Sequence, residues 1–208
     1  MGFDIKPAQG RRRTAGTAAS QRQNNRRHKV LAAAAKLFAA KGLSGTSMRD
    51  IASATGMLPG SLYYYFPSKD ELFLQVHADA VADIDARVVE ALEGVSDPWE
   101  RLEAAAGAHL EGLLRRDGTV AIVQPHFDDQ DPELAQRLRV QRDGYEARFG
   151  ELVAALPLAQ EEDRRLLRLL LLGGLNWATL WVKEGPDRQS PAEIGRAFVG
   201  LIRRQVGV

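Results

Sequence analysis

The sequence predicts an all-α fold in two helical parts, on three observations. From Val30 onward apolar residues recur at the spacing of one helix face. No run of β-branched residues alternates in the manner of a strand. Capping and stop signals cut the chain into about nine helices.

The bulk composition agrees. Of 208 residues, 45% are hydrophobic and 26% charged, the balance of a chain that folds in water around one or two cores. Cysteine is absent, which excludes a disulfide framework, thiolate-held zinc or iron–sulfur and a cysteine nucleophile, and points to the cytoplasm. The net charge of +1 conceals a division: residues 1–75 hold 12 Lys/Arg against 4 Asp/Glu, and residues 76–208 hold 16 against 23. A +8 end and a −7 end imply that only the first meets a polyanion.

Residues 1–23 mix Gly, Ala, Ser, Thr, Gln and Arg without periodicity and read as a basic, disordered arm. The first helix is expected to begin near Asn24 or Asn25. Val30, Leu31, Ala34, Leu37 and Phe38 form its core face, and Lys41-Gly42 ends it. Ser47 to Asp50 has capping-box spacing for a second helix that stops at Gly56. Pro59 opens a third, whose core side is Leu62 and Phe66, and Pro67 closes it. Ser68, with Glu71 reaching back, caps a fourth helix running to Gly94. It has about 25 residues and spans about 40 Å, the length of a connector between domains.

Five further helices follow at about Pro98–Arg116, Thr119–Phe127, Pro132–Leu156, Glu161–Val182 and Pro191–Val206, with Asp-Pro and Ser-Pro pairs at three of the entries. Leu166 to Val182 is the most apolar stretch, but Arg168, Gly173, Gly174 and Asn176 interrupt it, so it reads as a buried helix and no membrane partner is expected. No hydrolase elbow, phosphate loop, dinucleotide fingerprint or zinc-protease motif occurs, and neither an enzyme nor a cofactor is implied. His126-Phe127-Asp128-Asp129 lacks the second histidine of a metal site.

Two short helices joined by a turn at Gly56, packed under a basic first helix, make a helix-turn-helix. Its second helix turns Gly60, Ser61, Tyr64 and Tyr65 away from the Leu62/Phe66 face, with Tyr63 at the boundary. Three tyrosines in a row suit a groove wall, where each hydroxyl can donate to a phosphate; packing of one or two of them, Tyr63 foremost, is the other reading. Arg49 can bond a guanine edge or bridge a phosphate. Arg11, Arg12 and Arg13 either lie along DNA or belong to a solubilising tail.

The run Thr46-Ser-Met-Arg-Asp-Ile-Ala-Ser-Ala-Thr-Gly56, followed by Gly60-Ser-Leu-Tyr-Tyr-Tyr-Phe-Pro-Ser-Lys69-Asp-Glu-Leu72, resembles the DNA-binding domain of TetR-type transcriptional regulators. The resemblance divides the chain into the arm, a DNA-binding domain at 24–70 and an effector-binding and dimerisation domain at 71–208. It implies a homodimeric, ligand-responsive repressor on a pseudo-palindromic operator. The alternative from another class is an architectural DNA binder indifferent to sequence. By the same resemblance Thr46, Ser47, Tyr64, Tyr65 and Lys69 match phosphate-contacting positions, and Arg49, Pro59, Gly60 and Ser61 lie at or near base edges. The departure is Leu58-Pro59, where a capping Ser or Thr and a polar residue are usual; leucine can neither cap nor hold phosphate.

In the C-terminal part, family resemblance places a dimer interface on the last two helices, with Leu169, Leu172, Leu175, Leu180, Ile194, Phe198, Leu201 and Ile202 as its apolar stripe and Gly173-Gly174 allowing close approach. Gly174 to Trp177, Trp181 and Ser190 to Ile194 are similar to regulators that answer acyl-CoA thioesters, so a hydrophobic or acyl-CoA-type effector is expected. His77, His109, Gln124, His126, Asn176 and Trp177 are its candidate contacts. Each polar one can equally be a satisfied core or surface residue.

Overall fold

The computed structural model describes residues 12–115, 122–123, 131–159, 163–182 and 189–207, with the backbone alone for 12–19. Among the described residues there are eight helices and no strand: α1 Arg12–Lys41, α2 Met48–Thr55, α3 Pro59–Tyr65, α4 Lys69–Ala91, α5 Pro98–Leu113, α6 Pro132–Ala154, α7 Arg164–Trp181 and α8 Pro191–Gln205. The expected helix at Thr119–Phe127 falls outside the described residues except for Ile122 and Val123. No described helix is long and apolar enough to cross a membrane.

Helix α1 begins at Arg12, upstream of the expected start near Asn24. Its C-terminal half is fixed by burial of Val30, Leu31, Ala34 and Phe38, so the costly nucleus is already formed. Ala15, Ala18, Ala19, Gln21, Arg22 and Gln23 then extend it with good helix formers, although they bring no apolar face.

The caps follow the sequence closely. Ser47 and Asp50 form a reciprocal capping box on α2, and Gly56 closes it at φ +68°, a left-handed geometry that favours glycine. Asp97, Asp131 and Ser190 cap α5, α6 and α8, each followed by proline in the first turn. At α4 the Ser68 hydroxyl accepts from the Glu71 N–H at 3.0 Å, but the Glu71 carboxylate does not reach back. It takes a two-pronged bond from Arg137 of α6 instead, a stronger partner than one backbone N–H.

Two cores result. The first gathers Val30, Ala34 and Phe38 of α1, Ile51 of α2, Leu62 of α3, Phe66, and Leu72 to Leu74 with Val76 at the start of α4, and is joined by Ile122 and by Leu134 and Leu138 of α6. Phe38 and Phe73 meet edge to face at 5.1 Å in its centre. The second gathers Val88 and Leu92 of α4, Trp99, Leu102 and Leu110 of α5, Phe149 and Leu152 of α6, Leu171, Leu172 and Leu175 of α7, and Ile194 and Val199 of α8. Helix α4 runs through both, about 35 Å from end to end.

The second core closes through a glycine contact absent from the periodicity. A Cβ on Gly195 of α8 would lie 2.6 Å from the Gly107 nitrogen and 2.9 Å from the Ala106 carbonyl carbon on α5, so the two backbones touch. Gly195→Ala is therefore expected to lower stability by about 1–3 kcal/mol through forced separation of α5 and α8. Gly144→Ala on α6, where an added Cβ meets nothing within 4 Å, should leave stability unchanged or raise it by up to about 1 kcal/mol. Urea unfolding of the two variants checks the contrast.

Candidate nucleic-acid interface and ligand cavity

Burial of Met48, Ile51 and Ala52 on α2 and of Leu62 on α3 turns the opposite sides of both helices outward. The outward set is Arg49, Pro59, Gly60, Ser61, Tyr63 and Tyr64, with Tyr64 75% exposed. Leu58 occupies the α3 N-cap without a side-chain bond and is 76% exposed, so the first turn of α3 presents free N–H groups and an apolar side chain together. Ser47 is exposed, and its hydroxyl bonds Asp50 Oδ2 at 2.6 Å. That bond, followed by the Ser47 N–H, holds the Asp50 carboxyl below its usual range.

Three of the expected contacts are placed differently. Thr46 is buried, and its hydroxyl donates to the Gly42 and Leu37 carbonyls at 2.8 and 3.2 Å. These are carbonyls that α1 leaves open at its C-terminal end, so Thr46 ties the loop down and has no exposed side chain for a phosphate. Tyr65, not Tyr63, is the tyrosine that packs: it is half-buried on the first core and meets Tyr64 edge to face at 5.4 Å, whereas Tyr63 is half exposed. Lys69 is half-buried, with its ammonium donating to the Leu43 carbonyl at 2.8 Å, which leaves two of its three donors for another acceptor.

A cavity of about 480 Å³ opens between α4, α5, α6 and α7. His77, His109, Asn176 and Trp177 line it, as the sequence predicts; Gln124 and His126 lie outside the described residues. Its apolar wall comes from Val81, Ile84, Leu113 and Leu138. His109 is buried, with Nε2 3.0 Å from Asn176 Oδ1 and Nδ1 2.8 Å from the Tyr145 hydroxyl. An amide oxygen only accepts, so Nε2 carries the proton and Nδ1 accepts from Tyr145. The result is a neutral chain, Tyr145 to His109 to Asn176, joining α6, α5 and α7. Burial lowers the His109 pKa to about 4 and raises that of Tyr145. His77 is likewise lowered by burial, and its Nδ1 lies 2.7 Å from Gln141 Oε1.

Tyr145, Gln141, Arg139 and Arg142 complete this cavity and were not singled out in the sequence. Leu138, Gln141 or Arg142, Tyr145 and Phe149 do recur at helical spacing, but the polar members conceal the stripe. Arg142 pairs with Glu146 at 3.4 Å, and Arg168 holds the same carboxylate.

The expected dimer stripe divides in two. Leu172, Leu175 and Ile194 lie in the protomer's own core and have no surface to offer a partner. Leu169, Leu180 and Leu201 are exposed, Phe198 and Ile202 half-buried, and Leu166, Leu170, Trp177 and Trp181 extend the outward set. The periodicity marked both sides of α7 as apolar but could not say which side its own chain would cover. Gly174 is accounted for within the protomer, because a Cβ there would lie within 3 Å of the Phe198 ring. Gly173 faces the cavity. Among the described residues no group of His, Asp and Glu could hold a metal ion.

A buried neutral imidazole gives a signed pH dependence. Between about pH 6.5 and 4 the unfolded chain binds a proton at His109 that the folded chain refuses, so stability is full above pH 6.5 and falls as pH drops. The expected loss from pH 7 to pH 5 is about 2 kcal/mol at this site. His109→Gln should lose most of that pH dependence in urea unfolding, with His77 supplying the remainder in the same direction.

Comparison with known proteins agrees in both parts of the chain. Residues 30–76 match the bacterial regulatory proteins of the tetR family, and residues 95–206 match the tetracyclin repressor-like C-terminal domain. The HTH-type transcriptional repressor KstR2 of Mycobacterium tuberculosis is 36% identical over 101 residues, 49% of this chain and 50% of that protein. The chain thus spans about half the length of the curated relatives it matches first. The TetR family regulator PfmR from Thermus thermophilus superposes with a TM-score of 0.68 at 30% identity, over 84% of this chain and 94% of that one. FadR from Bacillus subtilis, solved in complex with stearoyl-CoA, shares the fold with a TM-score of 0.72 at 17% identity, over 86% and 97% of the two chains. A helix-turn-helix head and a helical C-terminal domain, each matched on its own, place this chain in the tetR family of bacterial regulatory proteins.

Proposed function

We propose that the protein is a homodimeric transcriptional repressor that binds a pseudo-palindromic operator through Ser47, Arg49, Pro59 to Ser61, Tyr63, Tyr64 and Lys69, and releases it when a hydrophobic or acyl-CoA-type effector enters the cavity. The observation that carries this reading is the double role of α4. Its first turns sit in the core beneath α2 and α3, and its middle supplies His77, Val81 and Ile84 to the cavity wall. A ligand that favours one position of α4 therefore favours one spacing of the two heads, and by linkage DNA and ligand weaken each other.

The effector class rests on the cavity's chemistry. An apolar wall with a neutral polar chain inside suits an acyl or ring-bearing tail carrying an uncharged oxygen, and Arg139 and Arg142 offer cations to an anionic head. The stearoyl-CoA complex of FadR, which has the same fold, is in keeping with this. The outward set of Leu166, Leu169, Leu170, Trp177, Leu180, Trp181 and Leu201 supplies the apolar face for a second copy, and two-fold symmetry would present two α3 helices to successive major grooves.

Fluorescence anisotropy of the protein on the DNA upstream of its own gene and on a shuffled duplex tests the reading. A preference of about a thousandfold is expected, and equal affinity for both duplexes would support a sequence-indifferent binder instead. Arg49→Ala should reduce that preference about tenfold or more, while Tyr64→Ala should weaken both duplexes alike. Adding a long-chain acyl-CoA should dissociate the specific complex, whereas coenzyme A alone should not. Arg142→Ala should raise the acyl-CoA concentration required about tenfold.

A further inference from the structure

Helix α1 is longer than a helix-turn-helix requires. The family match begins at residue 30, whereas the helix begins at Arg12, so 18 residues of α1 precede the shared pattern. This overhang lies within residues 5–49, which contain 11 Lys/Arg and no Asp or Glu. Residues 20–26 are exposed, and Arg22 and Arg26 stand one turn apart on the same face. Like charges at that spacing destabilise a helix unless an anion lies between them, and among the described residues neither arginine has an ion-pair partner.

The overhang also leaves the head on the reading side. The Arg27 guanidinium lies 5.3 Å from the Phe66 ring centroid at the C-terminal end of α3, and Lys29 donates to the Thr55 carbonyl at the last residue of α2, 2.9 Å away. From there residues 12–26 extend about 22 Å, roughly two thirds of a turn of B-DNA.

We infer that the N-terminal extension of α1 is a second DNA-binding element, which lies on the phosphates flanking the site read by α3 and adds affinity without base preference. The extension carries positive charge into the region a flanking duplex would occupy, and phosphates supply the counter-charge that its own sequence withholds. This inference rests on the reading of the head as DNA-binding.

The test couples the extension to the DNA flanks. Anisotropy titrations over a range of salt would use the full chain and its Arg22→Ala/Arg26→Ala variant. The probes are upstream duplexes carrying the same central site with long or trimmed flanks, and a shuffled duplex of the longer length. Both substitutions are on an exposed helix face and remove no core contact. The variant is expected to lose about 0.9 in log–log salt slope for each phosphate contact removed and to bind the long duplex at least tenfold more weakly, with the same preference over shuffled DNA. Trimming the flanks should weaken the full chain by a similar factor and leave the variant unaffected. An unchanged slope, or equal sensitivity of both proteins to trimming, would show the extension to be a solvated helix and overturn the inference while the head's role stands. Failure of the full chain to bind any duplex would overturn the head's role and the extension's together.

Discussion

Everything in this molecule hangs on one helix having to satisfy two hydrophobic cores. Helix α4 gives Leu72, Phe73, Leu74 and Val76 to the core beneath the helix-turn-helix, and Val88 and Leu92 to the core built by α5 to α8. A close-packed interior tolerates neither sliding nor rotation of one end alone, so the two parts cannot choose their positions independently. The Arg137–Glu71 pair and the entry of Leu134 and Leu138 into the first core add a second tie, from α6. The cavity lies between these ties, with α4 as one wall and α6 as another.

The division of charge follows the same plan. The head and its helical extension carry the cations outward, and the few groups that could neutralise them are occupied: Asp50 caps α2 and Glu71 is held by Arg137. The C-terminal part keeps its polar chemistry internal and uncharged, in the contacts of Tyr145, His109 and Asn176 and of His77 and Gln141. Each imidazole loses its proton to burial, and each hydrogen-bonding group finds a partner within the cavity wall. A ligand entering there meets dipoles already arranged, and any group it displaces leaves another unpaired, which is how such a site distinguishes ligands.

Much of this was legible in the chain. The helix ends were, because caps are local: Ser47 with Asp50, Asp97, Asp131 and Ser190 with Glu193 each act within four residues. So was the core side of α3, since Leu62 and Phe66 share a face at helical spacing. His109 and Asn176 stood out as polar residues on apolar helices, but Tyr145, which completes their chain, sits on a helix whose outer surface is strongly charged. Thr46 and Ser47 are adjacent and chemically alike. Only the arrival of α1's last carbonyls beside Thr46 makes one a buried tie and leaves the other exposed.

By itself the sequence determined where helices begin and end, which residues are apolar enough to be covered, and that its basic end is the reading end, because propensity, capping and charge act over a turn or two of chain. It did not determine which of two apolar sides α7 would give to its own protomer. Nor did it show that Glu71 would abandon its cap for Arg137, or that Gly107 and Gly195 would bring α5 and α8 into backbone contact. Those outcomes depend on residues 66 and 88 positions apart in the chain. Packing between distant helices selects among locally equivalent choices, and only the tertiary structure brings those helices together.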